Sequence, residues 1–205
     1  MPRLPEGLYR RHSRRGDRHA LAATLATPAI SRNIALAGLE LLIGYEWLVS
    51  GVDKLLYSGF PGTLSSLLAS ALSGGRLPSF FAALLRVLVM PNAVAFGYLI
   101  EWGEILAGLG LIAAGLVELL RRTAQRRLTG IWGAAFARGA RLLDALAPFA
   151  AAGAGLLGLS FFLLDGLPSP WFTPSIAYGG ALDTGLFLAA ASVVLLASRL
   201  TSSRR

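Results

Sequence analysis

Six ionisable residues interrupt stretches that are otherwise almost wholly apolar: Glu40, Glu46, Asp53 and Lys54 in one, Glu101 and Glu104 in another. A carboxylate at bilayer depth costs at least ~2.5–3.5 kcal/mol on insertion scales unless it is paired, neutralised or wet. Residues of this kind therefore point to proton handling, ion binding or a structural ion pair. Helical spacing groups them. Glu46, Ser50, Asp53 and Lys54 fall on one face at i, i+4, i+7 and i+8, and Gly97, Glu101, Glu104 and Gly108 share another at i, i+4, i+7 and i+11. Two acidic faces meeting inside a bundle, with glycines allowing close approach and Lys54 above them, would form a polar pocket. Glu101 and Glu104 are the candidate catalytic residues, as proton carriers; Glu46, Trp47, Asp53, Lys54 and Trp102 are the candidate binding residues. The same carboxylates would serve equally as structural pins bonded to a neighbouring helix or to Lys54. Tryptophans 47, 102 and 171, with Tyr98, also suit interfacial anchoring. Glu40 has no adjacent cation and is expected to carry a proton or to pair with Arg32, about two turns earlier.

Several chemistries are excluded within this chain. There is no cysteine, so no disulfide, thiolate metal site, iron–sulfur cluster or thiol relay. Both histidines, His12 and His19, lie in a polar N-terminal tail, which leaves none to ligate haem or copper inside a membrane. Met90 is the one methionine besides Met1. No metal, haem or iron–sulfur cofactor is expected; electrons passing here would need a diffusible carrier or another subunit.

Elements long enough to position the charged residues come from the apolar blocks. Only 15% of the 205 residues are charged, 55% are hydrophobic and mean hydropathy is +0.61, against about 25% charged in ordinary soluble domains. Four spans are expected, at roughly 34–56, 93–120, 142–164 and 182–199, each near the ~20 residues that cross ~30 Å of hydrocarbon. They are continuously apolar rather than alternating, which excludes a membrane barrel. The fold class is an all-α membrane protein, a four-helix transmembrane bundle. A basic tail (1–32), the bundle (33–200) and a short tail (201–205) divide the chain. Residues 1–32 lack the apolar run of a cleaved signal peptide.

The basic balance, net charge +8, reads as topology. The tail, the connection 121–141 and the C-terminus hold sixteen positive residues, whereas the two opposite connections hold Lys54, Arg76 and Arg86. Positive residues mark the cytoplasmic side, so both termini are expected there, in a bacterial or archaeal cytoplasmic membrane. The tail is expected to touch lipid and not nucleic acid. The long outer connection, 57–92, carries Leu64, Leu67, Leu68 and Leu72 at helical spacing, then Phe80 to Met90, closed by Pro91-Asn92. Neither piece can span, which predicts two short helices in or dipping into the interface.

The segment Gly44-Tyr45-Glu46-Trp47-Leu48-Val49-Ser50-Gly51-Val52-Asp53-Lys54-Leu55 resembles the first-span signature of the DoxX/DoxD family. Met90-Pro91-Asn92, then Phe96-Gly97-Tyr98-Leu99-Ile100-Glu101-Trp102-Gly103-Glu104 and Gly108, resembles the entrance to its second span, and Arg121-Arg122 follows suitably. The resemblance covers residues 32 to 122, and the last two spans by hydropathy alone. It implies a small four-span membrane protein, in some members the membrane part of a thiosulfate:quinone oxidoreductase with a smaller partner subunit. By position Gly51, Lys54, Glu104 and Gly108 match the motif, and Glu101 less closely.

Two readings follow. In one, the protein is associated with quinone-linked electron transfer: the pocket takes a quinone, Glu101 and Glu104 handle protons, and Lys54 with Arg76 or Arg86 draws in a small sulfur anion. In the other, the chain is a non-catalytic accessory or scaffold subunit packing against a larger respiratory or photosynthetic complex. That reading uses small-residue faces such as Gly108, Gly110, Ala113, Ala114 and 150–158. Lipid and other membrane subunits are the expected partners in both.

Overall fold

The computed structural model describes residues 33–165 and 184–202. The chain divides into two compact units, Met1–Leu36 and Ala37–Arg205, and the bundle is built in the second. The described residues are helical throughout apart from short turns, with no strand among them. Four helices are long and apolar enough to cross a membrane, and this is a multi-pass membrane protein with an all-α four-helix bundle.

Helix α1, Asn33–Ser58, ends in a widened turn over Lys54–Ser58. Gly59 then takes φ +57°, a left-handed conformation that an L side chain rarely adopts, and turns the chain at once into α2, Phe60–Ser73. Pro61 stands in the first turn of α2, where its missing N–H has no intrahelical partner to lose. Helix α3, Ser79–Leu84, follows Pro78. The expected pair of short helices between the first two spans is thus present, but the second does not stop at Pro91-Asn92. A wide turn, Leu85–Val89, and a tight one, Met90–Asn92, lead straight into α4, Ala93–Arg127. Pro91 has no N–H for the carbonyl one turn earlier, and the wide-then-tight sequence absorbs that loss without ending the helix. Asn92 Nδ2 also caps the carbonyl of Leu88 at 3.1 Å.

Helix α4 runs past its expected end, and α5, Gly130–Asp165, begins before its own. The arginine-rich connection 121–141 is therefore almost entirely helical. Its turn is only residues 128–129, followed by Gly130 at φ +60°. Helix α6, Thr184–Ser202, completes the bundle. The connection 166–183, with Trp171 and Asp183, lies outside the described residues, as do the basic tail and Arg32.

Small residues bring the backbones together. A Cβ on Gly108 of α4 would stand 2.6 Å from Leu48 N and 2.8 Å from Gly44 O of α1. Gly44 and Gly51 face Ile112 and Ile105 as closely, and Gly115 faces Ala37 O. On the other side a Cβ on Gly110 of α4 would stand 2.8 Å from Ala150 Cβ of α5, and one on Gly158 of α5 would stand 2.8 Å from Ala189 N of α6. Ala147, Ala151 and Ala154 are buried in the same seam. With no hydrophobic drive between helices in lipid, such close approach is what lets dispersion hold them together. Large apolar side chains point outward instead, among them Leu42, Leu99, Leu106, Leu142, Phe149, Leu156 and Val193, as lipid-facing surfaces do. The α2–α3 cap has its own core, Phe60, Leu64, Leu68, Phe81 and Leu85, packed on Phe96 and Ile100 of α4 and Leu163 of α5.

Candidate functional site

The buried face of α1 passes through Ala37, Glu40, Ile43, Gly44, Trp47 and Gly51 and reaches Lys54 at its end. The buried face of α4 carries Glu101, Glu104, Ile105, Gly108 and Leu111. Where the faces meet, Lys54 Nζ donates to Glu104 Oε2 at 2.9 Å and to Ser50 Oγ at 2.7 Å. The ammonium also stands over the rings of Phe60, 5.4 Å from the centroid, and Phe161, 5.5 Å away. Aromatic faces attract a cation most where water is scarce, and Lys54 is only 17% exposed against 0% for Glu104. The residues holding this lysine thus come from α1, α2, α4 and α5.

Around the ion pair the site is polar but unsatisfied. Glu104 Oε1, Glu101 Oε1 and Trp47 Nε1 are buried with no hydrogen-bond partner. Trp47 stacks on Phe161 with ring centroids 6.0 Å apart. Lys54 pairs with Glu104, and Glu101, also buried, lies one turn earlier on the same helix. Buried polar groups normally find hydrogen-bond partners, so these three atoms are where a further donor or acceptor could be placed. The open valences are two acceptors and one donor, beside two stacked rings.

The two acidic faces meet through fewer residues than their spacing suggested. Glu101, Glu104, Trp47 and Lys54 gather as described. Glu46 and Asp53 are exposed, and Trp102 is half exposed. The reason is angular: at about 100° per residue Glu46 is turned a quarter-circle from Trp47, and Asp53 lies on the far side from Gly51. The inward line through Gly44, Trp47, Gly51 and Lys54 takes the seat that the wider acidic grouping had claimed. Ser50, Phe60 and Phe161 were not singled out for the site. Ser50 had a signal, four residues before Lys54; the two phenylalanines, apolar residues among many, had none.

A second polar centre lies toward the arginine-rich end. Glu40 accepts from Arg199 of α6 in a two-pronged bond, Nε to Oε1 at 2.7 Å and Nη2 to Oε2 at 2.6 Å. Arg199 also reaches Asp144 of α5 at 3.5 Å, and Arg121 of α4 grips both oxygens of Asp144 at 2.9 and 2.8 Å. Among the described residues the partner of Glu40 is Arg199; Arg32, the partner expected beside a bound proton, lies outside them. Both oxygens of Glu40 are taken by this fork-on-carboxylate contact across 159 positions, the strong form of such a bond. With every helix of the four-span bundle contributing, this centre fixes register.

No group of three or more His, Asp or Glu residues poised to hold a metal ion occurs among the described residues. Comparison with family models, curated proteins and solved structures gives no match for this chain.

Proposed function

We propose that this protein is a DoxX/DoxD-like membrane subunit of quinone-linked electron transfer, with its quinone seated at the Lys54–Glu104 site. The observation that carries the reading is the trio of unpartnered buried polar atoms, Trp47 Nε1, Glu101 Oε1 and Glu104 Oε1, beside the Trp47–Phe161 stack. A quinone ring suits the stacked aromatics, and its carbonyls accept from the Trp47 indole or the Lys54 ammonium. A bound quinone would supply two-electron, two-proton chemistry, and the carboxylates of Glu101 and Glu104 would accept from the hydroxyls of its reduced form. The electrons come from a partner subunit or from a small sulfur anion such as thiosulfate, two of which lose one electron each on joining. Glu101 and Glu104 relay the protons.

The scaffold reading draws less support. The faces it relied on, Gly108, Gly110 and Ala114 of α4 and much of 150–158 of α5, are turned into the bundle, where α1, α5 and α6 occupy them.

Lys54 separates binding from structure. Purified from native membranes, the wild-type chain is expected to retain quinone. Lys54→Met should lose most of it, counted per folded protein, since taking the cation from buried Glu104 also lowers the yield of folded bundle. Lys54→Arg should keep charge but misplace the donor, since a planar fork does not fit between two rings and Ser50. Equal quinone content in all three proteins would remove Lys54 from the site.

Orientation belongs to the same proposal. With both termini cytoplasmic, a reporter active only in the cytoplasm should give signal at either end, and one inserted in the α2–α3 turn, at Gly74 or Gly75, should be silent. Signal from the α2–α3 fusion would reverse the bundle.

A further inference from the structure

The hairpin of α4 and α5 holds a cleft of about 690 Å³, with Arg121, Arg141 and Asp144 at its base and Leu128, Thr129 and Phe136 toward the tip. Gly130 and Gly133 also line it, and a Cβ on Gly133 would press on Leu128 O at 2.9 Å. We propose that this cleft binds the phosphate-bearing headgroup of an anionic phospholipid.

Depth is the first argument. Arg121 closes the apolar run of the second span. From there to Leu128 is seven residues of helix, about 10 Å, comparable with the ~5–8 Å of headgroup layer on each side of the hydrocarbon. The cleft therefore opens where headgroups lie. Its size falls within the ~300–1,000 Å³ usual for small-ligand sites.

Charge is the second. Both oxygens of Asp144 already accept from Arg121, and Arg199 approaches the same carboxylate, so its negative charge is committed. Arg121 is also ion-paired with Glu118, Nε to Oε2 at 3.6 Å, so the cation left uncommitted in the lining is Arg141. Arg141, in the lining of the cleft, is exposed and bonds only its own helix, Nε to Ala137 O at 3.3 Å. Arg126, Arg127 and Arg138 stand exposed on the same hairpin, and none of these four forms an ion pair among the described residues. The uncommitted charge of the cleft is positive and guanidinium, which matches a phosphate by paired N–H donors. Phe136, Leu128 and Ala140 line the rest of the cleft with apolar surface. Basic pockets between spanning helices hold lipid headgroups in this way.

The test uses the whole protein in neutral detergent, with native mass spectrometry counting bound lipid. Phosphatidylglycerol should bind in a discrete first step, more tightly than diacylglycerol, which has the same chains and no phosphate. Arg141→Gln should weaken that step roughly fivefold, the worth of one arginine at a charged lipid surface. Arg141→Lys should weaken it less, and Arg86→Gln, an exposed arginine near the opposite end of the bundle, should leave it unchanged. Melting temperature without added lipid should be the same in all variants, since Arg141 holds no other helix. Inorganic phosphate that displaces the lipid at similar concentration would keep the site but assign its phosphate to solution. Equal binding of phosphatidylglycerol and diacylglycerol, or indifference to Arg141→Gln, would overturn the proposal.

Discussion

Replacing Arg199 by methionine is expected to destabilise the bundle by about 3–5 kcal/mol, because it leaves Glu40 buried without its cation. Glu40 lies almost wholly out of solvent, and both its oxygens accept from Arg199. Asp144 loses its weaker contact at the same time but keeps Arg121. The double change Glu40→Leu with Arg199→Met removes both charges and should recover most of the loss, since apolar replacement of a buried pair is often neutral or better. Unfolding in mixed detergent, followed by helical ellipticity, reads both results. A single mutant as stable as wild type would mean that water already reaches Glu40.

Gly108→Leu should be comparably damaging for a different reason. The added Cβ would meet Leu48 N, Leu48 Cα and Gly44 O within 2.6–2.8 Å, all backbone atoms that cannot rotate away. Helices α1 and α4 would have to part, taking Lys54 from Glu104. Overpacking of this kind costs roughly 1–3 kcal/mol, and more where backbone must move. Gly153→Ala, at a position with nothing within 4 Å, should instead gain roughly 0.5–1 kcal/mol from helix propensity. If Gly108→Leu and Gly153→Ala behaved alike, the close seam between α1 and α4 would be wrong.

How far the sequence reached depends on the kind of interaction. Apolar length is local, so the four spans were legible, and the glycines beside the acids announced the close seam now seen at Gly108. Helix ends were less so, because hydropathy registers bilayer thickness and not where hydrogen bonding stops. Arginine is a good helix former, and α4 continues through Arg126 and Arg127 where a loop was expected. Pro91 reads in sequence as a break, yet inside a continuous span its missing donor is absorbed by turns of altered pitch. In the site, spacing brought Lys54 to the same pocket as Glu46, Glu101 and Glu104 but left open which acid it meets; the structure pairs it with Glu104. Their depth on facing helices follows from the glycine seam. Glu46 and Asp53 misled because a wide acidic stripe fits a helix face about as well as a narrow one, and only the neighbouring helix chooses which edge is buried. Arg199 could not be assigned to Glu40 at all. Periodicity says which face an acid occupies and nothing about which of three other helices will meet it.

The proposal that a quinone is seated between Trp47 and the Lys54–Glu104 pair is tested most directly by photolabelling. A short-tailed azidoquinone would be applied to the protein in native membranes, followed by peptide mapping. Label is expected on peptides containing Trp47 and Phe161, suppressed by excess unlabelled quinone and strongly reduced in Glu104→Gln, which keeps the shape but not the charge. Label scattered over lipid-facing residues such as Leu42, Leu99 and Phe149, unaffected by competitor or by Glu104→Gln, would contradict it.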